Sequence, residues 1–356
     1  MQTLTAIPPN CDLETKPILK KSISANKKLA ELKGIIKTIP NEAILINTLY
    51  IQEAKDSSAI ENIITTHDEI YKQTLFRDLI KNSATKEVEN YGAALQIGFA
   101  RVKEYNGLSL NHILEIQQII EGNKAGFRKL PGTELKNELT GEIIYTPPQD
   151  ANEIQFLLNN LETYINADAD IDPLICMAVI HYQFESIHPF YDGNGRTGRV
   201  INILYLVLKQ LLDLPALYLS RYIIQHKADY YRLLQEVRTK NNWEAWILYM
   251  LDAVETTAGQ TTVFVEQITA LMKEQKHKIR TDLPKIYSQD LLNNLFKHPY
   301  TKIGFLTDDL QVHRNTAAKY LDELAKIKIL KKEKIGKSSF YINTSLLNLI
   351  FNAFHL

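Results

Sequence analysis

The stretch that most constrains this chain is residues 188–199, His-Pro-Phe-Tyr-Asp-Gly-Asn-Gly-Arg-Thr-Gly-Arg. The glycines on both sides of Asn194 predict a tight turn, because the backbone can adopt positive φ in this stretch. In such a turn, successive backbone N–H groups can point inward. An apolar row at helical spacing follows it: Val200, Ile203, Leu204, Val207, Leu208 and Leu211. A glycine turn that opens a helix is typical of a phosphate-binding site, since unpaired N–H groups and the helix dipole both favour an anion.

The charged side chains of the same stretch suit nucleotide chemistry. Arg196 and Arg199 are three residues apart, which predicts one helix face where each can offer a two-pronged fork to phosphate oxygens. Asp192 is the kind of oxygen ligand that Mg²⁺ binds together with substrate phosphates. His188 precedes that acid and is placed to accept a proton from an attacking hydroxyl. The alternative is a glycine-rich loop that carries charged residues by chance. So many residues suited to phosphate chemistry within twelve positions argue against that alternative.

Composition narrows the class of protein. Lys plus Arg and Asp plus Glu both number 41, so the net charge indicates neither a nucleic-acid coat nor an acidic tail. Cys11 and Cys176 lie far apart without metal-ligand spacing, which predicts no disulfide framework and a reducing compartment. The N-terminus has no signal-peptide pattern, and no apolar run approaches the length of a membrane span. We therefore expect a soluble, cytoplasmic protein of two or three domains that does not contact a membrane.

The stretch fits the pattern H-x-F-x-[DE]-G-N-G-R-x-x-R and resembles the signature of the Fic (Fic/DOC) family. The best-known members resemble protein adenylyltransferases, which move AMP from ATP to a hydroxyl side chain. The resemblance implies ATP as substrate, Mg²⁺ held by Asp192, His188 as catalytic base and Arg199 positioning the γ-phosphate. It also implies a set of ATP- and phosphate-binding residues: Asp192, Gly193, Asn194, Gly195, Arg196, Thr197, Gly198 and Arg199.

A polar stretch near the N-terminus carries a second motif. Ser57 and Glu61 are i,i+4 neighbours and would face one direction from a helix. Alone, they indicate an ordinary polar helix face. Ser57, Glu61 and Asn62 nevertheless fit [ST]-x-x-x-E-[GN], which resembles the inhibitory helix of one class of Fic proteins. This resemblance implies that Glu61 pairs with Arg199 and occupies the guanidinium that would hold the γ-phosphate. Asn62 replaces the glycine seen in many relatives.

Two softer motifs flank the signature. Residues 142–148 form a short β-prone run closed by two prolines, which alone predicts a surface hairpin. The run resembles the flap of Fic proteins, which pairs with a target's backbone as an added strand. The resemblance assigns target docking to four residues of that run: Ile143, Ile144, Tyr145 and Thr146. A tyrosine pair later in the chain, Tyr230 and Tyr231, is similar to one that lines the adenosine pocket in relatives, although tyrosine pairs are equally ordinary core residues.

Two further histidines, Phe190 and the N-terminal residues are given structural interpretations. His112 and His181 fall on apolar stripes without further ligands nearby, so we predict packing rather than metal binding. Phe190 is predicted to anchor the signature loop from below. Residues 1–17 are punctuated by proline and predicted to form an extended arm, and Pro40 is expected to break a helix.

The C-terminal residues resemble a winged helix-turn-helix. A helix is predicted over 303–310 and a second over 316–327, with Ala317, Leu321 and Leu324 inward, followed by a β-wing over 329–342. The lysines and leading residues of the recognition helix are candidates for DNA contacts: His313, Arg314, Asn315, Lys319, Lys331, Lys332, Lys334 and Lys337. Because the same helix carries Asp322 and Glu323, docking of a protein is the alternative.

Together these features predict a mainly α fold: a Fic helical core with a small β-hairpin flap, an N-terminal helical region and a C-terminal winged helix-turn-helix. The expected domains are residues 1–105 with the inhibitory helix, 106–250 as the catalytic core, 251–290 as a connecting helix, and 291–356.

The predicted activity is transfer of AMP from ATP to Ser, Thr or Tyr hydroxyls of a target protein, or of the chain itself, restrained by Glu61. Three alternatives stay open: removal of AMP, transfer of another phosphate-containing group, and a nucleotide-sensing DNA-binding regulator. The expected partners are an unidentified target protein, DNA at the winged helix and a second copy of the chain.

Overall fold

The computed structural model describes residues 4–75, 82–136, 140–335 and 338–353. Helices dominate, which confirms the predicted mainly α class. In chain order the helices are α1 (Lys16–Ile36), α2 (Glu42–Ile60), α3 (His67–Leu75), α4 (Ser83–Tyr105), α5 (Leu110–Glu121), α6 (Ala151–Asn166), α7 (Pro173–Ile187), α8 (Asn194–Leu208), α9 (Leu219–Gln225), α10 (Lys227–Lys240), α11 (Trp243–Asp282), α12 (Gln289–Lys297), α13 (Ile303–Leu310), α14 (Arg314–Lys326) and α15 (Thr344–Asn352). The strands are β1 (Leu135–Lys136), β2 (Ile143–Tyr145), β3 (Tyr300–Thr301), β4 (Lys331–Ile335) and β5 (Ser338–Ile342).

The centre of the molecule is the antiparallel pair α7 and α8. Every residue of α7 from Leu174 to Ile187 is buried, because α6, α8 and α11 cover it on different sides. The start of α7 is well determined by sequence: Pro173 occupies the first turn and the Asp172 carboxylate accepts from the Leu174 N–H at 2.7 Å. The loop between these two helices is therefore held at both ends by rigid elements.

The longest helix, α11, runs for 40 residues and packs along α1. It ends just before Pro284, which disfavours helical conformation in the preceding residue. The predicted boundary between residues 250 and 251 lies within α11, so the expected connecting helix is the second half of a longer one. The break at Pro40 is observed, since α1 ends before it and α2 begins after it.

The N-terminal arm packs against the helical body. Ile7 is buried, its N–H donates to Asn160 Oδ1 at 2.8 Å, and the Asn160 amide donates back to the Ile7 carbonyl at 2.9 Å. Leu13 is buried as well. The proline-rich composition predicted the absence of regular structure here, while burial of these two apolar side chains attaches the segment to the fold.

The C-terminal elements form a small three-stranded sheet in the order β3-β5-β4, with both neighbouring pairs antiparallel. Ala317, Leu321 and Leu324 of α14 are buried, as their spacing predicted. This region contacts the N-terminal helices: the Tyr71 and Tyr300 rings stack at 5.4 Å, and the Tyr300 hydroxyl donates to Asp68 at 2.5 Å. Every helix in the described ranges is too short or too polar to cross a membrane.

Two of the lysines proposed for DNA contacts, Lys331 and Lys332, pair with carboxylates of the chain itself. Lys332 lies 2.6 Å from the Asp322 carboxylate and Lys331 lies 2.7 Å from Glu333, while Lys337 lies outside the described residues. Both the winged-helix assignment and its use in DNA binding stay predictions.

Candidate active site

The candidate base, His188, terminates α7. It adopts the left-handed conformation with φ 47°, and its N–H donates to the Phe184 carbonyl at 3.0 Å. This conformation is uncommon for residues other than glycine. Gly193 also has a positive φ, 78°, and α8 begins at the next residue. Two left-handed positions therefore turn the chain from α7 into α8 and place the imidazole at the mouth of the turn.

Asn194 has a different role from the predicted one. The positive φ expected of this glycine turn is at Gly193, and Asn194 is the first residue of α8. Its side chain accepts from the Phe190 N–H at 2.8 Å and donates to the Phe190 carbonyl at 2.9 Å. A primary amide has one donor and one acceptor group that can bond to the N–H and carbonyl of the same residue. The Asn194 side chain therefore satisfies both backbone groups of the buried residue Phe190. Phe190 is fully buried beneath the loop and stacks on Phe127 at 5.1 Å.

Arg128 is a residue of this site that the sequence did not reveal. Its buried guanidinium donates to the His188 carbonyl at 2.7 Å, to the Ile187 carbonyl at 3.2 Å and to the Pro148 carbonyl. The backbone N–H of Arg128 donates to the Pro189 carbonyl at 2.8 Å. Arg128 therefore fixes the backbone of the candidate base. It lies in an irregular stretch without a motif, and no sequence signal marks it.

Burial and, to a smaller extent, the positive charges of Arg128 and Arg238 together lower the pKa of His188 to about 4. Desolvation and like charges both disfavour the imidazolium form. At neutral pH the ring is therefore uncharged and able to accept a proton, which is the state that a general base requires.

Arg199 lies at the centre of the site and is bound from α2. Its Nε donates to Ser57 Oγ at 2.8 Å, and its Nη2 donates to the Ser57 carbonyl at 3.0 Å and to Glu61 Oε1 at 2.7 Å. The Arg199 side chain is only 1% exposed, whereas Glu61 is 35% exposed. Burial alone would raise the pKa of Glu61. The positive charge and hydrogen bond of Arg199 outweigh this effect, so the pKa of Glu61 lies below its ordinary value. The structure thus brings Glu61 and Arg199 together, as the resemblance implied, and shows Ser57 as a further partner of Arg199.

The end of α2 has its own local determinants. Asn62 takes the left-handed conformation with φ 62°, which explains why glycine and asparagine both suit this position. Lys227 Nζ donates to the Ile60 carbonyl at 2.6 Å and pairs one of the last carbonyls of α2. A Cβ on Gly195 would lie 2.4 Å from Glu61 Oε1. The absence of a side chain at Gly195 therefore makes room for the carboxylate.

Arg196 does not share the environment of Arg199, which corrects our prediction of two adjacent phosphate-binding arginines. Its Nη1 lies 2.8 Å from Glu87 and its Nη2 lies 2.7 Å from Glu121. The guanidinium is buried between these two carboxylates. It therefore anchors α8 to α4 and α5, and of these two signature arginines Arg199 is the one that lines the cavity.

Thr197 and Gly198 also serve packing. Thr197 is fully buried, and a Cβ on Gly198 would lie 2.6 Å from Glu185 Oε1 and 3.1 Å from the Phe184 ring. Glycine at this position allows α8 to approach α7 closely. These two residues of the signature therefore support the site from behind.

A cavity of about 580 Å³ opens above these residues. It is lined by Glu61, Glu134, Leu135, Lys136, Ile144, Glu185, His188, Gly195, Arg199, Lys227, Tyr230, Tyr231 and Arg238. The Tyr230 hydroxyl lies 2.9 Å from His181 Nε2, and burial lowers the pKa of His181 to about 3. His181 is therefore a neutral packing residue that orients Tyr230. Because Tyr230 lines the cavity, it is available as an aromatic wall.

The predicted flap is present as the antiparallel pair β1 and β2. Ile143 and Ile144 are exposed, which suits docking. Tyr145 faces inward instead: its hydroxyl donates to the Ser186 carbonyl at 2.9 Å, and the Arg238 guanidinium lies 3.9 Å from its ring centroid. Thr146 follows the strand. Tyr145 therefore holds the hairpin to the core, which corrects its assignment as a docking residue.

The candidate metal ligand, Asp192, is exposed, and its Oδ1 accepts from the Gly193 N–H at 2.7 Å. In the described part of the chain, no group of three or more His, Cys, Asp or Glu side chains is placed to hold a metal ion. A lone carboxylate at the edge of a phosphate site still fits Mg²⁺, which commonly takes one or two carboxylates plus phosphate oxygens.

Comparison with known proteins agrees with this arrangement. The model of the Fic/DOC family matches residues 107–206, and the Fic/DOC family N-terminal model matches residues 19–100. The model described as protein adenylyltransferase SoFic-like, C-terminal domain, matches residues 271–346. The fold and the loop at 188–199 define a helical protein with a Fic core. The chain belongs to the Fic/DOC family.

Individual relatives are distant. The protein adenylyltransferase Fic of Aedes aegypti is 27% identical over 174 residues, which is 48% of this chain and 33% of that protein. The protein adenylyltransferase fic-1 of Caenorhabditis briggsae is 26% identical over 197 residues, or 51% of this chain and 36% of that protein. This chain therefore spans about a third of the length of these relatives.

Two solved structures share the fold. A Fic family protein from Desulfovibrio desulfuricans G20 superposes with a TM-score of 0.59 at 17% identity, covering 95% of this chain and 98% of that one. Fic-1 (residues 134–508) from C. elegans superposes with a TM-score of 0.54 at 20% identity, covering 70% and 74%.

Proposed function

We propose that this chain is a protein adenylyltransferase that moves AMP from ATP to a Ser, Thr or Tyr hydroxyl of a target protein. The observation that carries the proposal is a half-buried, neutral His188 in the same cavity as Arg199, close to the N-terminal end of α8. The Fic/DOC family model matches residues 107–206, which contain this site, and relatives named protein adenylyltransferase match about half of this chain.

In the proposed reaction, the hydroxyl oxygen of the target attacks the α-phosphorus of ATP and His188 takes the hydroxyl proton. A bond forms between that oxygen and the α-phosphorus, the bond to the β-phosphate oxygen breaks, and pyrophosphate leaves. Proton transfer to a positioned base contributes roughly 10²–10⁴ in rate. Alignment and charge neutralisation supply most of the remainder.

The start of α8 is suited to the phosphates. No side chain of the described residues caps its first turn, so its N–H groups and dipole are available to an anion. Gly195 lines the cavity at this point. Arg199, once free of Glu61, would hold the γ-phosphate, and Asp192 would hold Mg²⁺, which neutralises phosphate charge when it is bound.

Recognition of the target is proposed to use the outer edge of β2. Ile143 and Tyr145 lie opposite β1 residues, so the backbone groups of Ile144 between them point to the other edge, where Gln235 donates to its carbonyl at 3.2 Å. An incoming strand would replace that single contact with backbone hydrogen bonds. Such pairing places a hydroxyl without reading much side-chain sequence, which also permits self-modification.

The Glu61–Arg199 pair is proposed to inhibit the enzyme. For a phosphate to replace Glu61, an ion pair that is buried at Arg199 but about one-third exposed at Glu61 must be broken. Loss of one partner of a fully buried pair costs about 3–5 kcal/mol, and the exposure of Glu61 puts this pair at or below the lower end of that range. Glu61→Gly removes the competing carboxylate. We expect transfer to rise by about tenfold to a hundredfold, because each 1.4 kcal/mol corresponds to a factor of about ten.

The test is label transfer from α-labelled ATP with Mg²⁺ to protein, comparing wild type, Glu61→Gly and Glu61→Gly/His188→Ala. We expect faint self-labelling of wild type, strong labelling of Glu61→Gly and none of the double variant. Labelling from γ-labelled ATP is the control and should be absent, since the γ-phosphate leaves with pyrophosphate. If folded, ATP-binding Glu61→Gly transfers nothing, adenylyl transfer is the wrong activity.

A further inference from the structure

Arg238, on α10, is a half-buried arginine of the active-site cavity that has no acidic partner in the described part of the chain. Arg199 and Arg238 are the two arginines among the residues that line this cavity. Arg199 pairs with Glu61 at 2.7 Å, whereas the described residues place no carboxylate within 4 Å of Arg238. The charge of Arg238 is therefore not neutralised by a described side chain.

Within the described ranges, the guanidinium of Arg238 makes two long hydrogen bonds, both to neutral acceptors. Its Nε donates to Ser186 Oγ and its Nη1 donates to Gln235 Oε1, each at 3.4 Å. Its Nη2 has no partner among the described residues and keeps accessible surface, unlike the enclosed Nη1 of Arg128. Hydrogen bonds between an arginine and an anion are shorter, about 2.7–2.9 Å, and roughly twice as strong. The edge of this guanidinium is therefore available to a better acceptor in the cavity.

The ring of Tyr145 determines where this guanidinium lies. The Cζ atom of Arg238 is 3.9 Å from the centroid of that ring, and the Tyr145 hydroxyl donates to the Ser186 carbonyl at 2.9 Å. The face of an aromatic ring attracts a planar guanidinium and leaves its N–H donors free. Arg238 is thus positioned before a substrate binds, as a group that stabilises a transition state must be.

Arg238 also lies beside the candidate base. Ser186, which accepts from its Nε, is two residues before His188, and Arg238 and His188 line the same cavity. The charge of Arg238 is close enough to help lower the pKa of His188. In the proposed reaction His188 takes the proton of the hydroxyl that attacks the α-phosphorus, so the α-phosphate must lie near His188 as well. The α-phosphate is therefore the anion that this reaction would bring to Arg238.

We propose that Arg238 is a further catalytic residue, whose free edge binds a non-bridging oxygen of the α-phosphate; this rests on the proposed function. The bond from the hydroxyl oxygen to the α-phosphorus forms, the bond to the β-phosphate oxygen breaks, the hydroxyl proton passes to His188 and pyrophosphate leaves. Arg238 holds the phosphorus in line with the hydroxyl and neutralises charge that would repel the entering oxygen.

Binding of AMP and of adenosine tests the phosphate contact without using transfer. Calorimetry is performed on the full chain carrying Glu61→Gly, which lacks the carboxylate that competes for the site. We expect Arg238→Gln to weaken AMP binding by about tenfold or more, because a hydrogen bond to a charged group is lost. Adenosine binding should be unchanged, since adenosine has no phosphate, and this also shows that the site is still folded.

Arg232→Gln is the matched control for this binding experiment. Arg232 lies on the same helix, but its side chain is 53% exposed and pairs with Asp229 and Glu236, so the substitution should change neither affinity. An equal loss for AMP and adenosine would place Arg238 at the nucleoside and overturn the proposal. Unchanged AMP affinity in Arg238→Gln, or no AMP binding to Glu61→Gly, overturns it as well. Because these arms do not use transfer, an AMP contact found here would stand even if the proposed activity failed.

The catalytic role is tested with the two diastereomers of α-thio-ATP, in which sulfur replaces one or the other non-bridging oxygen. Sulfur is a weak acceptor, so in Glu61→Gly one diastereomer should transfer its label about tenfold more slowly than ATP. In Glu61→Gly/Arg238→Gln, transfer from ATP should fall by about 10²–10³-fold and most of this sulfur effect should disappear. Arg238→Lys keeps the charge without the fork and should recover part of the ATP rate.

A merely structural role of Arg238 gives a different result. Arg238→Gln would then slow ATP and both diastereomers by the same factor, and the ratio of their rates would stay as it is in Glu61→Gly. That outcome would refute the contact between Arg238 and the α-phosphate in the transition state.

Discussion

His188 and Glu185 lie three residues apart, and burial moves their pKa values in opposite directions. The pKa of His188 falls to about 4 and that of Glu185 rises to about 7. The cause is the same in both, because a buried site disfavours whichever form carries charge. At neutral pH, the imidazole is therefore unprotonated, whereas the Glu185 carboxyl is only partly ionised.

The lowered pKa of His188 predicts the pH dependence of transfer. Since the imidazole is neutral at every pH well above 4, protonation of His188 should not slow transfer by the Glu61→Gly variant between pH 5.5 and 8. The rate of label transfer by this variant is measured across that range. The same measurement on Glu61→Gly/Glu185→Gln removes any contribution from the titration of Glu185. A loss of about tenfold by pH 5.5 with its midpoint near pH 6.5 in both variants would contradict the prediction, since that is the behaviour of an exposed histidine.

Glu185 predicts a pH-dependent stability. Its pKa is raised from 4.5 to about 7 on folding, so the unfolded chain loses this proton at lower pH than the native one, and stability is lost as pH rises through that interval. Relative to Glu185→Gln, wild type should lose about 3 kcal/mol of unfolding free energy between pH 4.5 and pH 8. Urea unfolding at both pH values measures the difference. A constant difference would show that Glu185 is ionised in the native state.

At the scale of elements, the end of α2 determines where Glu61 lies. Asn62 turns the chain in the left-handed conformation and Lys227 pairs the Ile60 carbonyl. The helix is thus stopped by local geometry and held by a side chain from α10. Glu61 lies between the last turn of α2 and Asn62. The turn at Asn62 and the contact of Lys227 with α2 therefore both help to place Glu61 against Arg199.

Substitutions at Asn62 test this geometry. Asn62→Gly should keep the low activity and the stability of wild type, because glycine adopts the left-handed conformation freely. Asn62→Val should lower stability by about 1–2 kcal/mol, the penalty that a side chain with a crowded Cβ incurs there. Thermal unfolding and self-labelling of both variants provide the measurement. Equal stability of the two variants would show that residue 62 need not be left-handed.

At the scale of the whole molecule, the core and the C-terminal unit are packed as one body. α11 runs from the core to α12 and α15, and the buried amides of Gln275 and Asn343 donate to each other at 3.0 and 3.2 Å. Asn47 on α2 also donates to the Lys297 carbonyl at 3.1 Å. The core and the C-terminal unit are thus joined by a continuous helix and by side-chain hydrogen bonds.

This packing predicts a single cooperative unfolding transition. The chain has two tryptophans, Trp243 and Trp246, and both are buried near the core, so their fluorescence reports on the core alone. Circular dichroism reports on all helices. The two signals should give coincident urea curves. An earlier loss of part of the helical signal would instead show that the C-terminal unit unfolds independently.

The amino-acid sequence by itself determined those features that depend on neighbours along the chain. The helix at 303–310, the inward residues of α14 and the break at Pro40 follow from periodicity and breaker residues. The turn at 188–199 follows from its glycines. The encounter of Glu61 with Arg199 was implied by resemblance of motifs rather than by any local rule.

Tertiary structure decided which long-range partner each side chain meets. Arg196 and Arg199 carry the same group three residues apart, yet one binds Glu87 and Glu121 and the other binds Ser57 and Glu61. The role of Arg128, the inward turn of Tyr145 and the place of Arg238 beside His188 were likewise not predictable. The physical reason is that hydrogen bonds and burial act over a few ångströms in space, and only packing of the helices brings residues separated by tens to hundreds of positions within that distance.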